Sequence, residues 1–300
     1  MSILNLNNNS FFSPSRVGEL DSFLDRINLL FGQGEKIFDL GAQSTAPFAP
    51  IFSAEEELLR FEKTLFPFLK SNKMPKGITF SIDTFRSDVF LEVYREIRKN
   101  HKEKDLEIIW NDVSGVLTEE IFSILKDSCP DIRYVLMHSG RSKKEDLYHN
   151  KVNKEESDIT ENIIYFFLKN IKKLRDEISL NDERLIVDYG YSFNKTIPQT
   201  QLLIRKTSNV TKRILKEAPG DYSFLFGLSQ KTCLRGEYSK NIKKEDLPFY
   251  VEKADMFQFA LLLKIINEMK EKNQMIFRLH HFHHFLFLKE YKTLFLDSDC

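Results

Sequence analysis

The chain has 300 residues and a mass of 35.4 kDa, enough to bury a large core. Lysine plus arginine and aspartate plus glutamate stand at 44 each, so net charge gives no pull toward nucleic acid or a charged membrane surface. Three dispersed cysteines without a CxxC spacing, no signal-like start and no apolar run near the ~20 residues of a bilayer span lead to the expectation of a cytoplasmic protein. In chain order, a strand is predicted at Ser2–Leu6 and a helix opening at Ser13-Pro14, with Val17, Leu20, Phe23, Leu24 and Ile27 on one face. Strand Lys36–Leu40 follows, then a helix that a Ser53/Glu56 capping box starts and that runs to about Lys70. Strands Ile78–Asp83, Leu106–Asn111 and Arg133–His138 alternate with helices Arg86–Lys99, Thr118–Lys126 and about Glu155–Ile178. Strand Leu185–Asp188, helix Pro198–Glu217 and strand Tyr222–Ser229 lead into a long polar connection, Gln230–Lys253. Helix Ala254–Lys272, strand Met275–His280 and helix His284–Leu294 complete the order.

Eight strands alternating with eight helices define an α/β chain, a single (β/α)8 barrel over residues 1–300 with its site at the C-terminal ends of the strands. A doubly wound open sheet would carry a glycine-rich turn after its first strand, and none is present. Each strand is a short apolar run with a polar residue at its tip. The barrel would therefore gather Asn5, Asp39, Thr45, Asp83, Asn111, His138, Asp188, Ser229, Lys231, Arg278 and His280 on one face. Two carboxylates, an asparagine and a lysine suit a flat heterocycle with donor-rich edges. Arg278 and His280, with Ser229 and Lys231, suit an anionic tail.

These tips carry motifs in a fixed order: Met1-Ser-Ile-Leu-Asn5, Asp39-Leu-Gly-Ala-Gln-Ser-Thr-Ala-Pro47, Ser81-Ile-Asp-Thr-Phe-Arg86, Asn111-Asp-Val-Ser-Gly115, Tyr134-Val-Leu-Met-His138, Asp188-Tyr-Gly-Tyr-Ser-Phe-Asn-Lys-Thr196, Gly227-Leu-Ser-Gln-Lys231 and Arg278-Leu-His280. In that order they resemble dihydropteroate synthase and the wider pterin-binding barrel family. The resemblance implies that Asp83, Asn111, Asp188 and Lys231 hold a pterin ring. It implies that Asn5, Arg278 and His280 hold a diphosphate leaving group, with Asn5 touching Mg2+. Thr45, Pro47, Phe193 and Ser229 would line the p-aminobenzoate side, and Asn5, Arg278, His280 and Lys231 would carry the reaction. Small-molecule substrates and a homodimer through the last helices are also implied. The sequence departs from the family pattern in Asn7–Ser15, at Ala46 and Gln230 where arginines are expected, and at His281 in place of an aspartate. Tyr189, Ser192 and Asn194 stand where the family pattern has a proline and two glycines. Two other readings stay open: a pterin- or folate-binding homologue without turnover, and a pterin-dependent methyltransferase.

Overall fold

The computed structural model describes residues 1–6, 17–43, 51–71, 74–102, 106–141, 158–229, 231–235, 247–269, 275–280 and 282–295. Its strands are β1 (Ser2–Asn5), β2 (Ile37–Gly41), β3 (Ile78–Asp83), β4 (Leu106–Asp112), β5 (Arg133–Met137), β6 (Leu185–Asp188), β7 (Ser223–Phe226) and β8 (Met275–Phe277). They pair in parallel and in sequence order from β1 to β8. Just past β8, the amide of Ile3 donates to the Leu279 carbonyl at 3.1 Å and that of Leu279 to the Met1 carbonyl at 3.0 Å. The chain thus brings β8 back to β1, as the expected barrel requires.

The pleat sorts the strand residues by parity. Ile109, Val135, Ile186, Leu225 and Ile276 pack together inside the ring with Met1. Their neighbours Phe38, Phe80, Trp110, Tyr134, Val187 and Phe224 face outward, in the larger core under the helices. Trp110 stacks on Phe90 with ring centroids 4.4 Å apart, and its indole N–H donates to the Thr84 carbonyl at 2.8 Å. A lower interior layer is polar: Thr79 donates to Glu107 at 2.9 Å, and Arg133 meets both Glu107 and Ser223.

The helices are α1 (Leu20–Gly32), α2 (Ala54–Lys63), α3 (Leu65–Lys70), α4 (Ser87–Asn100), α5 (Glu119–Ser123), α6 (Ile159–Ile178), α7 (Ile197–Glu217), α8 (Thr232–Arg235), α9 (Leu247–Glu268) and α10 (Phe282–Phe295). The Ser53/Glu56 capping box is formed, at 3.2 and 2.8 Å. The helix expected from Ser53 to Lys70 is instead two helices, broken at Thr64. Pro67 explains the break: it has no N–H for the carbonyl four residues back, and its ring crowds that carbonyl, so the chain restarts a helix with proline in its first turn. Helix Thr118–Lys126 closes in a wider π turn over Ile124–Ser128. The polar connection Gln230–Lys253 contains α8 and the first turns of α9, where Pro248 again fits a helix start. Among the described residues, no helix is long and apolar enough to cross a membrane. Ser13-Pro14 lie outside the described residues, but the helix expected to open there and to carry Val17 starts only at Leu20. Val17 is non-helical, its amide donating to the Asn5 carbonyl, and Glu19 is an extended N-cap.

Candidate active site

Asp83, Asn111 and Asp188 end or nearly end three strands, and register alone sets two of them side by side, since Asp83 pairs with Asn111. They open into one cleft with Val113, Met137, Gly190, Tyr191, Phe193, Gly227, Lys231 and Arg278. Four of its residues were expected to bind a ring (Asp83, Asn111, Asp188, Lys231), and two more came from the neighbouring subsites (Phe193, Arg278). The apolar residues Val113 and Met137, against which the expected Phe193 lies, had not been anticipated. Val113 and Met137 pack with Phe85, and Phe193 lies against them. Parity could have found it, because Val113 is two residues beyond Asn111 and must share its face.

Arg278 is fixed by two carboxylates. Its Nε donates to Asp39 and an Nη to Asp83, each at 2.6 Å. Asp39 is fully buried one layer below; its other oxygen accepts from Ser81 at 2.6 Å and from Asn111 at 3.0 Å. Sequence reasoning placed Asp39 at this end of the barrel and gave it no task. Its task is to hold Arg278, Asn111 and Ser81 in one network. Burial pushes the Asp83 carboxyl up, to about 7, helped by Asp39, Glu57 and Asp188 and opposed by Arg278. Burial also raises Asp188, whose carboxylate accepts from the Gly190 amide at 2.8 Å and feels Lys231, Arg278 and Lys195. Lys231 is pulled down to about 8 by burial and by Arg278, and its ammonium lies 4.9 Å from the Phe193 ring centroid.

The loop between β6 and α7 is built around glycine and a buried lysine. Gly190 has φ +61, and a Cβ there would stand 2.3 Å from the His138 carbonyl oxygen. Ser192 and Asn194, at φ 68 and 49, also adopt the left-handed conformation, at the two positions where the family pattern has glycine. Lys195 is 5% exposed. Its Nζ donates to the carbonyls of His138 (2.9 Å), Gly190 (2.7 Å) and Phe193 (3.1 Å). Burial and the nearby Lys231 charge lower its pKa, to about 7, while Asp188 acts to keep the proton on. Behind the loop, Tyr189 and Tyr191 reach Thr211 and Thr207 of α7 at 2.6 and 2.8 Å. Both threonine hydroxyls already donate to helix carbonyls, so the phenols are the donors.

The remaining expected residues fall outside the cleft lining. The Ser229 hydroxyl accepts from the His280 amide at 3.1 Å, tying the two strand ends together. Asn5 ends β1, where its carbonyl accepts from Val17 at 2.9 Å. His138 takes the parity opposite to Met137 and meets Phe166 of α6 edge-on. Thr45, Pro47, Ala46, Gln230, His281 and the Asn7–Ser15 segment lie outside the described residues.

A barrel whose strand tips converge on a cleft of carboxylates, amide and ammonium is the setting of the family model described as "Pterin binding enzyme", which matches residues 1–256. The chain belongs to that family, as its motifs led us to expect. A folate synthesis bifunctional protein of Arabidopsis thaliana is 30% identical over 241 residues, 78% of this chain and 46% of that protein. The chain therefore spans about half the length of the plant relatives it matches. The fold is similar to that of a dihydropteroate synthase from Thermus thermophilus solved with 4-aminobenzoate, at TM-score 0.66 and 19% identity, covering 98% of this chain and 93% of that one. It is likewise similar to a dihydropteroate synthase from Anaplasma phagocytophilum with bound 6-hydroxymethylpterin-monophosphate, at TM-score 0.67 and 18% identity, with 98% of both chains covered.

Proposed function

We propose that this chain is a divergent dihydropteroate synthase. It would join p-aminobenzoate to 6-hydroxymethyl-7,8-dihydropterin diphosphate and release pyrophosphate, a step of folate biosynthesis. The observation that carries this reading is the convergence of Asp83, Asn111, Asp188 and Lys231 beside an apolar wall in one cleft. Asp83 and Asp188 accept from the ring N–H and amino groups. Asn111 gives an amide N–H to Asp39, which turns its carbonyl oxygen toward the ring. Lys231 donates, and Val113 and Met137 cover the ring faces. As the diphosphate departs, positive charge grows on the pterin methylene, and the two carboxylates stabilise it. Phe193 and Ser229, with Thr45 and Pro47, hold the aromatic amine so that its nitrogen attacks from the side opposite the leaving group.

Arg278 and His280 are the proposed partners of the diphosphate. Arg278 spends two of its five N–H groups on Asp39 and Asp83, so three remain for an anion. The amide oxygen of Asn5 would be the protein donor to a Mg2+ ion, which would supply positive charge beside the leaving diphosphate. Asp39 is already engaged by Ser81, Asn111 and Arg278 and lies buried beneath the cleft.

A second reading, pterin binding without turnover, is favoured by the commitment of Arg278 to two carboxylates. Purified protein given both substrates and Mg2+ separates the two. Pyrophosphate release above background, reduced at least a hundredfold in Asp188→Ala, supports the synthase. Pteroate binding without release supports the second reading, and no pterin binding at all removes both.

A further inference from the structure

The wall proposed for the aromatic amine stands on a loop whose backbone is unfavourable by itself. Ser192 and Asn194 flank Phe193, and both sit in the left-handed region, which is unfavourable for a residue with a side chain. Asn194 recovers part of this through its amide, which donates to the Gly140 carbonyl at 2.7 Å. The larger restraint is the Lys195 ammonium. Its three donors are matched by three carbonyls, one on each side of the Ser192 turn and one at the tip of β5. Those carbonyls converge from Gly190, from Phe193 and from His138, so the ammonium joins the start of the loop, the residue carrying the wall ring, and the neighbouring strand. A Cβ at Gly190 would also approach this ammonium, at 3.3 Å, so the packing leaves no slack.

We infer that Lys195 is a positioning residue: its ammonium is the internal template of the β6–α7 loop and holds the Phe193 ring against Val113 and Met137, where the second substrate must be oriented. The inference rests on the reading of Phe193 as the wall of the p-aminobenzoate side. Lys195 touches no substrate itself. Its three-carbonyl cage is a cation site that the chain fills with its own side chain, so deleting the side chain leaves a cavity for an alkylammonium ion.

The test uses the full chain as Lys195→Met, which keeps the aliphatic stem, and Lys195→Ala, which vacates the cage. In Lys195→Met, the KM for p-aminobenzoate rises tenfold or more, pterin affinity stays within threefold, and hydrogen exchange of the 189–194 amides accelerates. In Lys195→Ala, n-propylammonium, the deleted fragment, restores both the KM and the exchange protection saturably, whereas n-butanol does not. Unchanged exchange in both variants overturns the proposal. So does a loss of pterin affinity and of global folding in step with the loop, which would make Lys195 a general structural residue. If the wild-type chain releases no pyrophosphate, the synthase reading fails by itself; exchange and propylammonium rescue still decide the role of Lys195.

Discussion

Asp39 lines no part of the cleft, yet it decides the orientation of two residues that do. Its oxygens take the side-chain amide of Asn111 and the guanidinium of Arg278, so the flip of the one and the reach of the other are set from below. A buried carboxylate is tolerated only with such partners, and removing one member of a buried charged set leaves the others uncompensated. The titrating groups above it give the site a pH signature. Asp83 is raised to about 7, so below that pH it is protonated and loses acceptor capacity. Lys231 is lowered to about 8, so above that pH it loses its charge. The kcat/KM for pyrophosphate release is therefore expected to rise with pH up to about 7 and to fall above about 8. In Lys231→Arg the part of the fall that Lys231 causes disappears, because a guanidinium does not titrate there, while the part that follows from Lys195, lowered to about 7, remains. A wild-type profile flat from pH 6 to 9 would remove this assignment.

At the scale of elements, the β6–α7 loop departs from its family's pattern at three positions and compensates for them locally. A proline is replaced by Tyr189, whose phenol is anchored on Thr211, and Tyr191 is anchored on Thr207 one turn away. Ser192→Gly is expected to raise stability by about 1 kcal/mol, since it relieves a left-handed serine, less the entropy glycine loses on folding. Asn194→Gly is expected to bring no gain, because it also deletes the bond to Gly140. Urea unfolding of the two variants would expose an error if they moved together. The strands of this region were legible in the sequence: Leu185–Asp188 and Ile78–Asp83 are found where a short β-branched run ending in a carboxylate placed them. Loop geometry was not legible. Nothing in the string Tyr-Gly-Tyr-Ser-Phe-Asn-Lys fixes which carbonyls a lysine will gather, because those carbonyls come partly from β5. The helix break at Thr64 was legible and overlooked, since Pro67 announces it.

At the scale of the molecule, the ring of strands makes contacts between neighbours that local pattern cannot supply. Gly115, after β4, has φ +66, and a Cβ there would lie 2.0 Å from the Met137 carbonyl oxygen of β5. That contact is backbone against backbone, so no rotamer change relieves it. Gly115→Ala is expected to cost ~3 kcal/mol or more, seen as a large fall in melting temperature or loss of folded yield. A melting temperature within a degree or two of wild type would show that the two tips can separate freely. Parity along each strand explains why the cleft floor was legible: Asp83, Asn111 and Asp188 follow from period two and a shared end. The inward turn of Met137 in place of His138 follows from the same rule, applied one residue earlier.

Arg278 lies 239 residues from Asp39 and 195 from Asp83, the partners that it bridges. During synthesis the two carboxylates therefore emerge long before their cation does. Until the eighth strand is released and docks, Asp39 and Asp83 lack the guanidinium that bridges them. Docking of the last strand closes the ring and seats that guanidinium in one event, so a chain halted before residue 275 lacks both a stave and the cation that two buried carboxylates require.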